Sequence, residues 1–291
     1  MNKDSFLEET HNFIDECYSG FEKYQRITWD VLCHINMVFR ENGIEYYLAY
    51  GTLLGAVRDG SNIPWDYDVD IHVKINQLDR LIDVLETKLG DDYYYVFTNN
   101  MRNYPADCLR ICKKGYTYMS IHVDVFFLIG GESTTKERIS TLRWVHRLAK
   151  IRAIKYSKEH LPRPTYSAIK RILLQILYTP ISLIPLAYLR YKERKIYFKN
   201  DIDKADTYIS FTVDANWGKN EFSVFPARIF KPLDFQIGND TFIIPEGYED
   251  YLTIEFGKWQ SYLPIKNRFD DFYSQLFQIQ ERQKFYLEHL V

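Results

Sequence analysis

Apolar residues recur at helical spacing between Phe13 and Asn42 (Ile27, Val31, Leu32, Ile35, Val38, Phe39), and the run closes on Glu41-Asn42-Gly43. A helix that stops there is the expected result. The period then changes. Ile44–Tyr50 reads as a strand, Leu53–Arg58 as a short helix, Asp70–Lys74 as a strand with alternating apolar positions, and Leu78–Leu89 as a helix. Tyr93–Thr98, Asp107–Lys113 and Ser120–Leu128 read as further strands. Strands interleaved with helices predict an α+β (mixed α/β) catalytic core of about 130 residues, the remainder being helical or irregular. The expected division is an N-terminal helical segment over 1–43, a core over 44–130, a basic helical insertion over 131–200, and a C-terminal part over 201–291 that completes the site.

The third segment stands out by charge. The chain as a whole has a formal net charge of -2, yet residues 136–199 hold sixteen Lys and Arg against Glu137, Glu159 and Glu193. Inside this block lie eighteen uncharged residues, Ile172–Leu189, interrupted by Pro180 and Pro185. Two mid-segment prolines remove backbone donors that lipid cannot replace, and basic residues flank both sides, which argues against a clean membrane span. The leading expectation is an element lying on an anionic membrane face. A buried helix pair broken at Thr179-Pro180 and a true span or nucleic-acid patch remain as alternatives. The polar and aromatic interleaving of a nucleic-acid groove is weak here.

Composition adds class limits. With 291 residues, 46% apolar and 26% charged, the chain can bury a core and is neither disordered nor fibrous. Aromatics reach 16%, more than core filling usually takes, and Tyr and Trp favour half-wet places such as a ligand pocket or membrane contact. Cys17, Cys33, Cys108 and Cys112 show neither C-x-x-C spacing nor scaffold density. They read as reduced, packed cysteines, and a zinc site from Cys108, Cys112 and His122 lacks a second well-spaced pair. The start, MNKDSFLEETHNF, has no apolar signal-peptide core, so a cytoplasmic protein is expected.

The chemistry concentrates in Tyr46–Val73, YYLAYGTLLGAVRDGSNIPWDYDVDIHV. A strand ending at Gly51-Thr52 with a helix beginning at once would turn N-terminal amides and a hydroxyl toward a phosphate. Asp66, Asp68 and Asp70 follow at alternate positions, which on an extended backbone point to one side. Three like-facing carboxylates repel unless a cation joins them, and hard oxygen donors suit Mg²⁺ or Mn²⁺. An EF-hand is excluded, because its glycine and its distal Glu are missing. Asp124 sits inside the apolar run Ile121–Leu128, where a carboxylate needs a partner. That partner is either a metal shared with Asp68 and Asp70, or Arg110 in the preceding strand, which could equally face the substrate.

These residues resemble a known family. G-T-L-L-G-x-x-R at 51–58, I-P-W-D-x-D-x-D at 63–70 and the D-x-F run at Asp124 look like the LicD phosphotransferases of the nucleotidyltransferase superfamily. The likeness resumes in Ile244–Leu252 and Glu255–Trp259 and ends at Pro264. It departs at Phe235-Gln236, where the family often has Phe-Glu, and at Phe256-Gly257-Lys258, where Tyr-Gly-Asp is usual. The resemblance implies a nucleotidyltransferase-like core sheet with flanking helices. It implies Asp68, Asp70 and Asp124 as catalytic metal ligands for Mg²⁺ or Mn²⁺, Gly51 and Thr52 at the phosphate, and Arg58, Trp65, Asp66, Arg110 and Trp259 at the substrate. The implied reaction moves phosphocholine from CDP-choline to a hydroxyl of a cell-surface glycan or its lipid-linked precursor, with CMP leaving. Transfer of a nucleotidyl, glycerol-phosphate or ribitol-phosphate group, and a non-enzymatic membrane-bound binder, are the competing readings. A choline ammonium would want an aromatic box, for which Trp65, Trp217, Trp259, Tyr248 and Tyr251 are candidates. No nucleic-acid partner is expected.

Overall fold

The computed structural model describes residues 21–102, 104, 106–118, 120–131, 134–159, 168–214, 219–264 and 267–268. Expectations for residues 1–20, Cys17 among them, and for Trp217 lie outside the described residues. Seven α-helices and nine strands occur among the described residues, a mixed α/β architecture that agrees with the α+β expectation. The contacts divide the chain into two compact units, one from the described residues within 1–95, 110–125 and 228–291, the other from 96–109 and 126–227.

The first unit begins with α1 (Phe21–Glu41), whose inward stripe, Val31, Leu32, Ile35, Val38 and Phe39, is buried at helical spacing. Gly43, at φ +64°, turns the chain out of the helix. Then come β1 (Tyr46–Leu48), α2 (Tyr50–Asp59), β2 (Asp70–Lys74), α3 (Leu78–Thr87), β3 (Tyr93–Val96), β4 (Leu109–Lys113) and β5 (His122–Gly130). The strand order is β1-β2-β5-β4-β3. β1 and β2 run antiparallel, with Tyr46 opposite Val73 and Leu48 opposite Ile71. Every residue of β1 is buried, which explains why it reads as a continuous apolar run without alternation.

The second unit takes up the end of β5, where Leu128–Gly130 pair with Tyr208–Ser210 of β6 (Thr207–Asp214), itself antiparallel to β7 (Lys219–Pro226). Its helices are α4 (Thr135–Glu159), α5 (Ala168–Ser182) and α6 (Leu186–Tyr197). Thr134 and Glu137 start α4 reciprocally. The Glu137 carboxylate accepts from the Thr134 hydroxyl at 2.8 Å, and Glu137 N–H donates back to that hydroxyl at 3.3 Å. The chain then returns to the first unit with β8 (Pro232–Ile237), β9 (Asp240–Pro245) and α7 (Tyr248–Phe256).

Three expectations are corrected. The strand expected over Ile44–Tyr50 is only β1, and the helix after it starts at Tyr50 rather than Leu53, so Gly51 and Thr52 lie in its first turn. The stretch expected to be helical or irregular contains two antiparallel hairpins, β6–β7 and β8–β9. Gly238, at φ +58°, turns the second hairpin within Ile237-Gly238-Asn239-Asp240, a turn signal between alternating runs that was available in the sequence. Pro180 does not break its helix: α5 continues to Ser182. The chain closes the helix just beyond it, with Leu183 N–H donating to the Pro180 carbonyl at 3.3 Å, and the next helix begins after Pro185, which caps α6.

Candidate active site

The ten residues that the resemblance implies for metal, phosphate and substrate all lie in the first unit. The site is built around the Val69–Asp70 backbone. Asp70 N–H donates to the Thr52 hydroxyl at 2.8 Å, and Asp70 C=O accepts from Ala49 N–H at 3.0 Å. Asp124 N–H donates to the Val69 carbonyl at 2.8 Å. The G-T motif, the D-V-D motif and the lone carboxylate of β5 thus meet at one stretch of chain. Thr52 is buried, and its hydroxyl is a structural acceptor that fixes where β2 begins.

The two glycines of G-T-L-L-G are needed for close approach. A Cβ on Gly51 would fall 2.5 Å from the Asp66 carboxylate, and one on Gly55 would fall 2.6 Å from the Ser61 carbonyl and 2.8 Å from Ile63 N. Spaced by four along α2, they open one helix face to the returning loop 61–66. Gln25 of α1 secures that loop, its amide donating to the carbonyls of Ile63 at 3.1 Å and Asp66 at 2.6 Å. Asp66 is therefore held beside the first turn of α2, where the helix dipole favours an anion.

The remaining candidates are placed as follows. Asp66, Asp68 and Asp70 are half-buried; only Asp70 belongs to β2, and the other two precede it. Asp124 is buried, its carboxylate accepting from Arg110 Nε at 2.7 Å and Nη2 at 3.4 Å, with His122 Nε2 at 3.6 Å. Burial alone would raise its pKa, but the Arg110 guanidinium and His122 prevail and hold the carboxyl well below the usual carboxylate range. Arg58 pairs with Asp59 at 2.8 Å and lies 4.4 Å from the Tyr262 ring centre, while Tyr262 OH donates to Asp59 at 2.8 Å. Trp65 is buried, with the Arg268 guanidinium 5.8 Å from its ring centre. Trp259 is buried, and its indole N–H meets no acceptor among the described residues.

Among the described residues, no three His, Cys, Asp or Glu side chains gather into a group able to hold a metal ion. Asp124 accepts from Arg110 and lies 3.6 Å from His122. The half-buried Asp68 and Asp70 still fit the mode usual for Mg²⁺, one or two protein carboxylates completed by water and substrate phosphate oxygens.

Three further residues, Gln25, Tyr50 and Tyr251, shape the site. Tyr50 opens α2 at φ +43°, a left-handed conformation costly for a bulky side chain, of order 1–3 kcal/mol. Its backbone N–H donates to the Tyr251 hydroxyl at 3.1 Å, which also lies 2.9 Å from His72 Nε2. Burial pushes the Tyr251 phenol well above its ordinary pKa, so it stays a neutral hydrogen-bonding post. Tyr251 was noted only as a choline candidate, whereas Gln25 and the strain at Tyr50 left no mark in the sequence.

Residues 43–168 match the family described as LicD/FKTN/FKRP, nucleotidyltransferase domain. The chain carries a LicD family domain. Over 253 residues, 84% of this chain and 92% of the relative, it is 23% identical to the lipopolysaccharide cholinephosphotransferase LicD of Haemophilus influenzae. A shorter stretch of 41 residues is 46% identical to the ribitol 5-phosphate transferase FKRP of Mus musculus and of Homo sapiens, covering 14% of this chain and 8% of those proteins. Of the ten candidates, the LicD domain contains all but Trp259.

Proposed function

We propose that the chain is a phosphotransferase that moves phosphocholine, or a similar substituted phosphate, from a CDP-activated donor to a hydroxyl of a cell-surface glycan or its lipid-linked precursor. The acceptor oxygen forms a bond to the donor's β-phosphorus, the bond from that phosphorus to the bridging oxygen breaks, CMP leaves with the electron pair, and the acceptor hydroxyl's proton passes to solvent water. Such a transfer needs positioning and neutralisation of charge more than covalent chemistry.

The observation that carries this reading is the convergence of Thr52, Asp70 and Asp124 on the Val69–Asp70 backbone, within a LicD family domain. Asp68 and Asp70 would hold a divalent cation, Mg²⁺ or Mn²⁺, which when bound neutralises phosphate charge. Arg110 keeps Asp124 ionised, so this carboxylate acts as a fixed negative charge and is a poor store for a proton. To the donor we assign Arg58, at the C-terminal end of α2, and Asp66 beside its first turn.

Incubation with CDP-choline and a glycan acceptor tests the reading: CMP and a choline-modified glycan are expected, and their absence with either cation would refute it. Transfer of ribitol phosphate is the second reading, supported by the short stretch at 46% identity. Release of CMP from CDP-ribitol but not from CDP-choline would select it.

A further inference from the structure

The outward face of α5 runs against the usual pattern. Ile172, Leu173, Ile176 and Leu177 are 58%, 62%, 67% and 64% exposed, a contiguous stripe at helical spacing, where a surface helix ordinarily shows polar side chains. Leu183 continues it at 75%. The exposed side of α6 joins aromatic rings to cations: Lys192 over Tyr188, Lys195 over Tyr191 and Arg194 over Phe198 at 5.4, 5.4 and 4.8 Å. Tyr with Lys or Arg is the composition of a water–lipid interface.

Both helices are anchored from within the same unit. Lys155 of α4 donates to the carbonyls of Ser182 and Ile184 at the end of α5. Leu189, Glu193 and Tyr197 form the buried face of α6, and Arg152 of α4 bridges Asp107 and Glu193. Between α4 and α6 lies a cleft of about 340 Å³ whose lining includes Trp144, Lys192, Lys195 and Lys199, with Glu137 as its one carboxylate. Among the described residues no helix is long and apolar enough to cross a membrane.

We propose that α5 and α6 seat the protein on an anionic lipid surface, the apolar stripe entering the interface and the lysine-lined cleft receiving a lipid phosphate. Charge selects this occupant. A second copy would bring its own sixteen basic residues against three acidic ones over 136–199 and be repelled, and a nucleic acid would leave the apolar stripe in water. Anionic headgroups satisfy both features at once. The inference is independent of the reaction proposed above, although it would keep the protein near a lipid-linked acceptor.

Full-length protein sedimented with vesicles provides the test. Binding to phosphatidylcholine vesicles containing phosphatidylglycerol, little binding to phosphatidylcholine alone, and weakening by added salt are expected. Lys192→Gln and Lys195→Gln should each weaken binding about fivefold, equivalent to about 1 kcal/mol per basic residue. Leu173→Glu, Ile176→Glu and Leu177→Glu together should abolish it with circular dichroism unchanged, since these residues are already exposed. Equal binding to both vesicle types, or to neither, overturns the proposal. So does a dimer in solution that the triple variant dissociates, which would assign the surface to a second copy.

Discussion

Thr52 shows how one side chain serves both fold and site. Its buried hydroxyl is the acceptor for Asp70 N–H, so Thr52→Val leaves that donor unsatisfied, at an expected cost of about 1–3 kcal/mol in urea denaturation. Thr52→Ser, which keeps the hydroxyl, should recover most of it, and kcat should fall by more than stability does only in Thr52→Val, where Asp70 loses its anchor as well. The two motif glycines should separate. In Gly55→Ala the methyl meets backbone at Ser61 and Ile63, which cannot yield cheaply, and about 1–3 kcal/mol of stability is lost. In Gly51→Ala it meets the end of the Asp66 side chain, which can swing away, so turnover suffers more than the unfolding midpoint. Cys33 supplies a titration. Burial first, and then Asp240, push its thiol up to about 12, so the thiolate is scarce at pH 8. In a Cys17→Ser background, Ellman's reagent should modify Cys33 slowly in the folded protein and at the ordinary rate in denaturant; fast reaction of the folded protein would contradict the contact with Asp240.

Among the elements, α1, β2 and α3 were legible because their apolar periods are uninterrupted, and Gly43 and Gly90 follow the two helices closely. β2 occupies the expected Asp70–Lys74. The boundary at Tyr50 was not legible, since a bulky residue at φ +43° contradicts local propensity and is maintained by Tyr251, 201 positions away. Buried charge at 107, 152 and 193 was equally hidden. Asp107 reads as the start of a strand and Arg152 as one of many basic residues, yet Arg152 joins Asp107 at 2.7 Å and also Glu193, with Tyr197 OH donating to Asp107 at 3.2 Å. Removing the cation alone strands two buried carboxylates, so Arg152→Ala should cost about 3–5 kcal/mol in thermal or urea unfolding. The triple change Arg152→Met, Asp107→Leu, Glu193→Leu should cost far less. Equal losses in the two variants would mean that packing, not charge, governs this junction.

For the whole molecule, the two units interleave along the chain, and β5 contributes residues to both, an arrangement that no shift of composition along a linear sequence reveals. The candidate residues, by contrast, could be named from the sequence, because phosphate and metal chemistry restrict which side chains can serve and their motifs are short and local, and Thr52, Asp70 and Asp124 meet at one stretch of backbone. The missing parts were the site's supports, Gln25, Tyr50 and Tyr251, whose roles come from distant packing. This division between chemistry and support predicts that activity and stability separate at the carboxylates. Asp66, Asp68 and Asp70 are half-buried within five residues of one another, and like charges so close oppose folding when no cation is bound. Replacing Asp68 by Asn keeps the side chain's size while removing one of these charges. Global stability without added metal should therefore stay within about 0.5 kcal/mol of the parent or rise slightly, while transfer is lost. Mg²⁺ should raise the unfolding midpoint of the parent but not of Asp68→Asn, a difference that thermal melts with and without EDTA report without any assay of turnover. If Mg²⁺ stabilises both proteins equally, the cation binds elsewhere and Asp68 is not its ligand.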